Sequence, residues 1–328
     1  MKIIYFYRNP NVGFSIGKVF KAISREISKK KQIHEVFMPS ARSMPWDILK
    51  NALHTYKHKT RDGINHITGH IHDVVLGLLG CKVVLTIHDL VFLDNVGNPI
   101  KYFYKWLFWL YLPVRLSDKV VCVSTHTKNN VLSHIKTDKL SVIGDPLDPI
   151  FEYTPKEFNK EKPVILHVGV GWNKNLLRVI EALAHIPCHL RIVGKLTSDL
   201  EKVLEKKALD YSNVYCLSDI EIMSEYINCD IVSFPSEYEG FGMPIIEGQK
   251  TGRVVVTSEI EPLMEVSGGA VAYVNPYDVD SIRRGFLRVI NEDNFRMETI
   301  ALGLENVERF EVGKIAQEYI RLYGSILK

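Results

Sequence analysis

Two carboxylates, Glu239 and Glu247, bracket a turn with the composition of an anion-binding site. Between them lies Gly240-Phe241-Gly242-Met243-Pro244, which follows the apolar run of residues 231–234. That run reads as a buried strand, and the residues after the turn read as a helix with Pro244 at its first position. Glycines let the backbone approach a ligand closely, and the N-terminus of a helix attracts phosphate or sugar oxygens. The pattern therefore predicts a strand-turn-helix unit that holds an anion.

The two glutamates suggest which anion this is. Helical side chains lean toward the N-terminus, so Glu247, predicted in the first turn, leans toward the turn residues. A ligand that is anionic in the middle and rich in hydroxyls at both ends fits this arrangement, and a nucleotide sugar has that pattern. The alternative is that both carboxylates only complement the helix dipole. The glycines and the proline between them favour the ligand interpretation.

The stretch resembles the signature of the retaining glycosyltransferases of family 4, which have the two-domain GT-B fold. The resemblance rests on Phe234-Pro235-Ser236 followed by Glu239-Gly-Phe-Gly-Met-Pro-Ile-Ile-Glu247. It implies an α/β protein with two Rossmann-like, doubly wound parallel-sheet domains facing a central cleft. It also implies that Glu239 contacts the transferred sugar. The donor-binding residues that it implies are Gly240, Phe241, Gly242, Met243 and Glu247.

A second loop contains two residues, Lys174 and Val170, that determine the charge expected around the leaving group. The strand predicted at residues 163–168 runs into Gly169-Val-Gly-Trp-Asn-Lys-Asn175, and a lysine at such a loop can contact a diphosphate. Lys174 matches the phosphate-binding lysine of the family, although an exposed lysine at a helix start is the plain alternative. Val170 stands where family members often carry an arginine, so the charge around the leaving group is weaker here or is supplied differently.

Alternating strands and helices in the first half of the chain predict a parallel sheet with ligands at the carboxyl ends of its strands. The strand of residues 2–7 leads into a loop that contains Gly13. By resemblance this loop faces the cleft, where Gly13 approaches the donor phosphate or the acceptor. An ordinary loop glycine is the alternative.

Residues 64–73 concentrate histidines, which raises the question of a metal site. His66, His70 and His72 could gather a divalent ion with Asp73, but the segment has neither the steady alternation of a strand nor the period of a helix that would put them on one face. The resemblance instead favours polar residues near the acceptor, with loop polarity as the alternative. The acceptor-side residues predicted on this basis are His66, Thr68 and His70.

A buried strand at residues 82–87 ends in His88-Asp89. The pattern Thr-Ile-His-Asp-Leu is similar to one at the inner edge of the N-terminal sheet in family 4, which implies that His88 reaches the transferred sugar or its leaving phosphate. Imidazole suits this role because it donates a hydrogen bond when neutral and carries a charge when protonated. The alternative is a core histidine. Asp89 is expected to brace the following turn.

The most aromatic stretch of the chain, residues 101–113, also contains Lys101 and Lys105. Such a segment can lie on a membrane surface, which would suit a lipid-linked acceptor, or it can pack into its own domain. A glycine and two prolines at residues 144–149 place the domain boundary there. The predicted domains are 1–148, which binds the acceptor, and 149–308, which binds the nucleotide sugar. By resemblance, an amphipathic helix in residues 309–328 crosses back to the N-terminal domain.

Composition excludes several classes of protein. The formal net charge of +3 over 328 residues is too small to indicate a nucleic-acid partner. Five scattered cysteines do not form a disulfide framework or a zinc site, and an Asp-x-Asp at residues 278–280 reads as a helix cap rather than a metal site. The chain shows neither a signal-peptide core nor a membrane span. We expect a cytoplasmic protein with peripheral contact at the inner face of the membrane at most.

Together these features predict a retaining, metal-independent glycosyltransferase with no cofactor. It would transfer a sugar from a nucleotide diphosphate sugar to a hydroxyl of a sugar or lipid-linked saccharide, in the assembly of a bacterial surface polysaccharide. The predicted catalytic residues are Glu239, His88 and Lys174. The alternatives are a hydrolase or epimerase of nucleotide sugars and a non-catalytic binding or scaffold partner. The sequence does not specify the sugar, the base, the acceptor or the linkage.

Overall fold

The computed structural model of the protein describes residues 1–10, 14–42, 44–94 and 96–327. The chain divides into two compact units. Unit 1 consists of Met1–Pro146 and Phe310–Lys328, and unit 2 consists of Leu147–Arg309. The sequence-based boundaries after residues 148 and 308 lie within two residues of these limits.

Each unit has a sheet at its centre. The strands of unit 1 are β1 (Lys2–Tyr7), β2 (Gln32–Phe37), β3 (Ile64–Ile67), β4 (Lys82–Ile87), β5 (Lys119–Cys122) and β6 (Leu140–Val142). Those of unit 2 are β7 (Val164–Val168), β8 (His189–Val193), β9 (Tyr211–Val214), β10 (Ile231–Phe234), β11 (Val254–Ser258) and β12 (Ala272–Val274).

Helices lie between most successive strands, and the last ones follow β12. Those before the domain boundary are α1 (Phe14–Ser28), α2 (Pro45–His58), α3 (Pro99–Lys105), α4 (Leu112–Leu116) and α5 (Thr125–His134). Those after it are α6 (Leu176–Leu183), α7 (Ser198–Lys206), α8 (Asp219–Asn228), α9 (Met243–Lys250), α10 (Leu263–Ser267), α11 (Val279–Asn291), α12 (Asp293–Asn306) and α13 (Val312–Leu327). Short 3-10 helices cover His72–Leu78, Trp172–Lys174 and Val307–Phe310, and a π-helix covers Trp106–Tyr111.

Both sheets are parallel throughout the described residues, with six strands each. The order is β2-β1-β3-β4-β5-β6 in unit 1 and β12-β11-β10-β7-β8-β9 in unit 2. In unit 2 the chain leaves β7 toward one edge and returns at β10 to build the other. Ligands of such sheets bind where the strand order reverses, at the carboxyl ends of the two central strands. The predicted doubly wound architecture therefore places a site after β7 and β10.

Strand β3 was not predicted as a strand, because two of its four residues are polar. All four are nonetheless buried, and their polar groups are satisfied inside the unit. The Asn65 side chain accepts from the Thr60 N–H at 2.9 Å and donates to the Thr60 carbonyl at 2.7 Å. His66 bonds Tyr323 of α13 and Thr86 of β4.

Helix α13 belongs to unit 1. Tyr319 and Tyr323 are buried against Tyr5 of β1 and Phe20 of α1, and the hydroxyls of Tyr5 and Tyr323 lie 2.9 Å apart. The C-terminal segment thus completes the core of the N-terminal unit. Within the described residues, none of the helices combines the length and apolarity that crossing a membrane requires.

Candidate active site

The loops after β7 and β10 are tied together at the reversal point of the unit 2 sheet. The N–H of Glu237 donates to the carbonyl of Asn173 at 2.8 Å. In return, the Asn173 side chain donates to the carbonyl of Tyr238 at 2.9 Å. These bonds fix the two loops relative to each other, so side chains from both are held together.

Lys174 and Glu239 meet at this point. The Lys174 Nζ lies 2.5 Å from Oε1 of Glu239, and the Asn173 amide donates to the same oxygen at 3.2 Å. The ammonium also lies 4.7 Å from the centroid of the Phe234 ring. Both charged side chains keep some exposure, 22% for Lys174 and 13% for Glu239. The pair is therefore held in place and still open to a ligand.

The turn before α9 presents the N-terminus of that helix. Gly242 has φ of +114°, and a Cβ added there would lie 2.7 Å from Leu263, so the position requires glycine. The helix begins at Met243, so Pro244 is its second residue. Pro244 was predicted to be the first. Proline fits there as well, because the first four N–H groups of a helix lack intrahelical acceptors. Phe241 is only 6% exposed, so its backbone is what it can offer to a ligand.

Glu247 lies one turn further along α9 than expected. It is the fifth residue of the helix, and the first turn contains no acidic residue. The hydroxyl of Tyr226 on α8 donates to its Oε2 at 2.5 Å. Burial first, and the Glu247 charge second, raise the pKa of Tyr226 well above its usual value. Tyr226 is therefore a neutral donor that orients the carboxylate.

Asn175 is a site residue that the sequence analysis did not single out. It adopts a left-handed conformation with φ of +63° and is 4% exposed. Its amide donates to the carbonyls of Pro235 at 2.9 Å and Pro276 at 2.7 Å, and its oxygen accepts from Arg178 at 2.9 Å. Arg178 in turn pairs with Glu237. Asn175 thus joins three loops at the carboxyl edge of the sheet.

Val170, which stands where the resemblance to family 4 implies an arginine, is partly buried. Val170 packs against the hydrophobic core between the sheet and α6. Nearby, burial first and Lys174 second lower the pKa of His167 to about 3, so this histidine of β7 is neutral and adds no positive charge. Positive charge at the site is supplied by Lys174, by the N-terminus of α9 and by Arg178, which is paired with Glu237.

In unit 1, His88 is held at the end of β4. Its Nε2 donates to the Thr68 carbonyl at 3.0 Å, and its Nδ1 lies 3.5 Å from a carboxylate oxygen of Asp145. Gly69, with φ of +122°, allows this packing, because a Cβ there would lie 2.5 Å from the imidazole ring. Burial lowers the pKa of His88, but the charge and hydrogen bond of Asp145, the hydrogen bond to Thr68 and the charge of Asp89 together outweigh burial, so the pKa is raised overall.

The predicted acceptor-side residues differ in their surroundings. His66 is fully buried, with Nδ1 2.6 Å from the Tyr323 hydroxyl and Nε2 2.8 Å from Thr86, so the structure does not support direct contact with an acceptor. The hydroxyl of Thr68 is also buried and donates to the carbonyl of Phe6. His70 keeps 22% exposure and lies 3.3 Å from Asp89. Gly13 lies outside the described residues.

The histidines of residues 64–73 do not converge on a common point. Within the part of the chain that the structure describes, no group of three or more His, Cys, Asp or Glu side chains is placed to share a metal ion. Burial first, and His70 second, lower the pKa of His72 to about 3, and its Nδ1 contacts the carbonyl of Trp109.

Two sequence profiles match the chain, one in each half. The profile described as Glycosyl transferases group 1 matches residues 151–303, and the one described as Glycosyltransferase Family 4 matches residues 21–150. The chain belongs to glycosyltransferase family 4. Both loops of the site, with Lys174 and Glu239, lie inside the first profile.

Curated relatives of this family 4 protein include mannosyltransferases. The serotype-specific mannosyltransferase WbdA of Escherichia coli is 24% identical over 278 residues, which are 75% of this chain and 34% of WbdA. The chain thus spans about a third of that relative's length. The O-antigen chain mannosyltransferase B of Escherichia coli is 37% identical over 90 residues, 27% of this chain and 24% of that one.

Among solved structures, Anabaena HepE in complex with UDP and glucose has a TM-score of 0.80 at 15% identity. The match covers 99% of this chain and all of HepE. Together with the two parallel sheets, this similarity confirms the predicted GT-B fold.

We expect Tyr226→Phe to weaken binding of the nucleotide-sugar donor that Glu247 is predicted to contact. The change removes the hydroxyl that donates to Glu247, and a hydrogen bond to a charged group contributes about 1.5–3 kcal/mol. The KM for the donor should rise about tenfold or more while kcat changes little, as steady-state kinetics would show. Tyr273→Phe is a matched control, because the Tyr273 hydroxyl bonds Ser267 and not Glu247. An unchanged KM in Tyr226→Phe would argue against a role for Glu247 in donor binding.

Asp145→Asn should lower the pKa of His88, because burial is then opposed only by the hydrogen bond to Thr68 and the charge of Asp89. With its pKa raised in the folded state, His88 contributes stability that is present below about pH 6.5 and is lost as the pH rises through the raised pKa. Asp145→Asn should reduce this gain in stability at low pH. Imidazole titration by NMR measures the first effect and thermal unfolding at several pH values the second. The exposed Asp138→Asn is the control, and equal titration of His88 in both variants would contradict the assignment.

Proposed function

We propose that this chain transfers a hexose from a nucleotide diphosphate sugar to an acceptor hydroxyl, with retention of configuration and without an essential metal ion. The observation that carries the proposal is the Lys174–Glu239 pair, held beside the N-terminus of α9 where the unit 2 sheet reverses. Membership in family 4 and the mannosyltransferases among the relatives support a sugar as the transferred group. Assembly of a bacterial surface polysaccharide follows as the proposed setting.

The chemical difficulty is the separation of charge. The bond from the anomeric carbon to the phosphate oxygen breaks, leaving a sugar with oxocarbenium character and a diphosphate that carries the electron pair. Lys174 and the backbone amides of Gly240, Phe241, Gly242 and Met243 supply fixed positive charge and donors for that diphosphate. The acceptor oxygen bonds the anomeric carbon on the same face, and its proton passes to the leaving phosphate oxygen. Because the leaving phosphate accepts this proton, the proposed reaction needs no general base from the protein.

The two glutamates hold the ends of the donor. Lys174 and Asn173 both contact Oε1 of Glu239, so Oε2 is the oxygen that we assign to a hydroxyl of the transferred sugar. Glu247, oriented by Tyr226, is assigned to the ribose. Such fixed contacts lower the entropy barrier by holding the donor in a reactive orientation.

Unit 1 supplies the remaining residues of the proposal. His88, with its raised pKa, can present a proton toward the sugar or the leaving phosphate. His70, the partly exposed member of the acceptor-side set, is assigned to the acceptor. Thr68 positions His88 through its carbonyl rather than through its hydroxyl.

A donor panel with EDTA present tests the proposal. One or more of UDP-glucose, GDP-mannose and related donors should raise the melting temperature by mass action, and this should not require a metal. NMR of the product should show the anomeric configuration of the donor. Glu239→Gln should still bind the donor but lose turnover. Inversion, or an absolute requirement for a divalent ion, would contradict the proposed mechanism.

The same assay separates the alternatives. Nucleoside diphosphate release that is independent of acceptor would indicate a hydrolase. A donor that binds but gives no product with any acceptor, in both the natural protein and Glu239→Gln, would indicate a non-catalytic partner, which the valine at position 170 favours.

A further inference from the structure

Helix α2 carries an apolar stripe on its exposed side. The large apolar side chains of this stripe are spaced three or four residues apart, which puts them on one face of the helix. They are Trp46 (81% exposed), Leu49 (48%), Leu53 (53%) and Tyr56 (57%). Scattered exposed apolar residues are common on proteins, but a contiguous row on one helix face marks an interaction surface.

The buried side of α2 is partly polar, which inverts the usual pattern of a surface helix. Its buried residues are Ile48, Asn51 and Thr55. Asn51 accepts from the Ser40 N–H at 3.1 Å, and the hydroxyl of Thr55 donates to the Asn51 carbonyl at 2.8 Å. Because the inner face is satisfied by hydrogen bonds, the apolar outer face is not needed for packing inside unit 1.

Helix α3 extends this surface. Ile100 is 81% exposed and Phe103 is 57% exposed. A cavity of about 460 Å³ is lined by Pro45 at the start of α2 and by Tyr104 of α3, among other residues, so the two helices are neighbours. We call the exposed apolar residues of α2 and α3 the α2–α3 face.

The charges around the α2–α3 face are mostly positive. The two helices contain four lysines and one acidic residue, Asp47, which caps α2 by accepting from the Met44 N–H. The lysines are Lys50, Lys57, Lys101 and Lys105. Over the whole chain, by contrast, 41 Lys and Arg nearly balance 38 Asp and Glu. The local excess is therefore a property of this surface.

This combination indicates an anionic lipid surface rather than a protein partner. Interfacial helices place Trp, Leu and Tyr at the boundary between headgroups and acyl chains, with lysines reaching anionic headgroups. Protein interfaces, by contrast, are depleted in lysine. Each lysine near an anionic membrane strengthens binding about fivefold.

We propose that the α2–α3 face binds an anionic lipid bilayer, with the α2 stripe lying in the headgroup region. Only the biological role of this membrane binding rests on the proposed function, since a lipid-linked acceptor would be presented at such a surface. Residues 101–113 were expected either to lie on a membrane surface or to pack into their own domain. In the structure Trp106 and Tyr111 of that stretch pack against the core of unit 1. The α2 stripe replaces them as the main contact.

Vesicle co-sedimentation of the full chain tests the proposal. The protein should bind vesicles of phosphatidylcholine that contain about 30% of the anionic lipid phosphatidylglycerol. It should not bind vesicles of phosphatidylcholine alone. Lys50→Gln/Lys57→Gln should weaken binding about 30-fold. Leu49→Gln/Leu53→Gln should weaken it about tenfold or more. The fluorescence of Trp46 should shift to the blue on binding, measured as the difference from Trp46→Phe.

Matched controls come from exposed helices of unit 2. Met297→Gln/Leu302→Gln on α12 removes side chains that are 60% and 46% exposed, and Lys206→Gln/Lys207→Gln removes two exposed lysines at the end of α7. Neither pair should change vesicle binding. All variants should keep the natural melting temperature, since the changed side chains are exposed.

Three results would overturn the proposal. The first is no binding of the natural protein to anionic vesicles. The second is binding that all the variants retain. The third is a concentration-dependent dimer, or a stable complex with another protein, that Leu49→Gln/Leu53→Gln dissolves. Donor binding is measured separately by melting temperature, so loss of vesicle binding leaves the proposed function standing, and failure of the donor panel leaves the membrane result standing.

Discussion

Replacing Lys174 by methionine should lower kcat by about 10²–10³-fold, the loss seen when one preorganised donor to a developing anion is removed. The lysine sits 2.5 Å from Glu239 and above the Phe234 ring, so its ammonium is fixed before a ligand arrives. With valine at position 170, the loop has no second cation to replace it. Single-turnover kinetics with a saturating donor would measure the effect on the chemical step.

The size of this loss depends on what remains at the site. Lys174→Arg keeps the charge and should retain more activity than Lys174→Met, whereas the exposed Lys207→Met is a control that should retain all of it. A kcat within threefold of the natural value in Lys174→Met would mean that the amides of the α9 turn stabilise the leaving group without help. In that case the role assigned to Lys174 would be wrong.

The sequence identified the charged residues of the site because they lie in motifs with unusual local composition. Glu239 precedes two glycines and a proline, and Lys174 follows a strand and a glycine-containing loop. The structure brings these two segments together at the reversal of the sheet, which alternation of strands and helices already predicted.

The supporting residues were not found because their partners are distant in sequence. Asn175 bonds carbonyls 60 and 101 residues away, and Tyr226 reaches Glu247 from a different helix. An asparagine at a helix start and a tyrosine on a helix are ordinary in composition. Their function depends on tertiary hydrogen bonds, which no local pattern records.

Strands were predicted correctly where burial on both faces gives a continuous run of apolar residues. The buried apolar strands β4 and β10 have the limits predicted at residues 82–87 and 231–234. By contrast, the residues of β9 are only half buried at the edge of the sheet, which weakens the hydrophobic pattern.

The orientation of α2 shows a different limit. Its leucines and aromatic residues have the period of a helix, from which one would place them in the core. The structure instead buries Asn51 and Thr55 and exposes the apolar stripe. Period specifies that residues share a face, but which face is buried depends on hydrogen bonds that only the folded unit provides.

Asn175→Ala should destabilise unit 2 and disorganise the site together. The two carbonyls that Asn175 satisfies, those of Pro235 and Pro276, would lose a buried donor, and each such loss costs about 1–3 kcal/mol. Alanine also disfavours the left-handed backbone of this position by about 1–2 kcal/mol. We expect the free energy of unfolding of unit 2 to fall by about 3–8 kcal/mol in total, as calorimetry would show.

Asn175→Gly separates these two causes, because glycine accepts the left-handed conformation but donates no side-chain hydrogen bond. Asn175→Gly should therefore avoid the backbone strain that alanine introduces, while the side-chain hydrogen bonds to the two carbonyls are still lost. If Asn175 positions Lys174 and Glu239, both variants should also lower kcat at temperatures where they remain folded, by up to about 100-fold for a displacement of about 1 Å. A variant that is less stable but turns over at the natural rate would show that the three loops hold their places without Asn175. Catalysis would then depend on the Lys174–Glu239 pair and not on the bonds that join those loops.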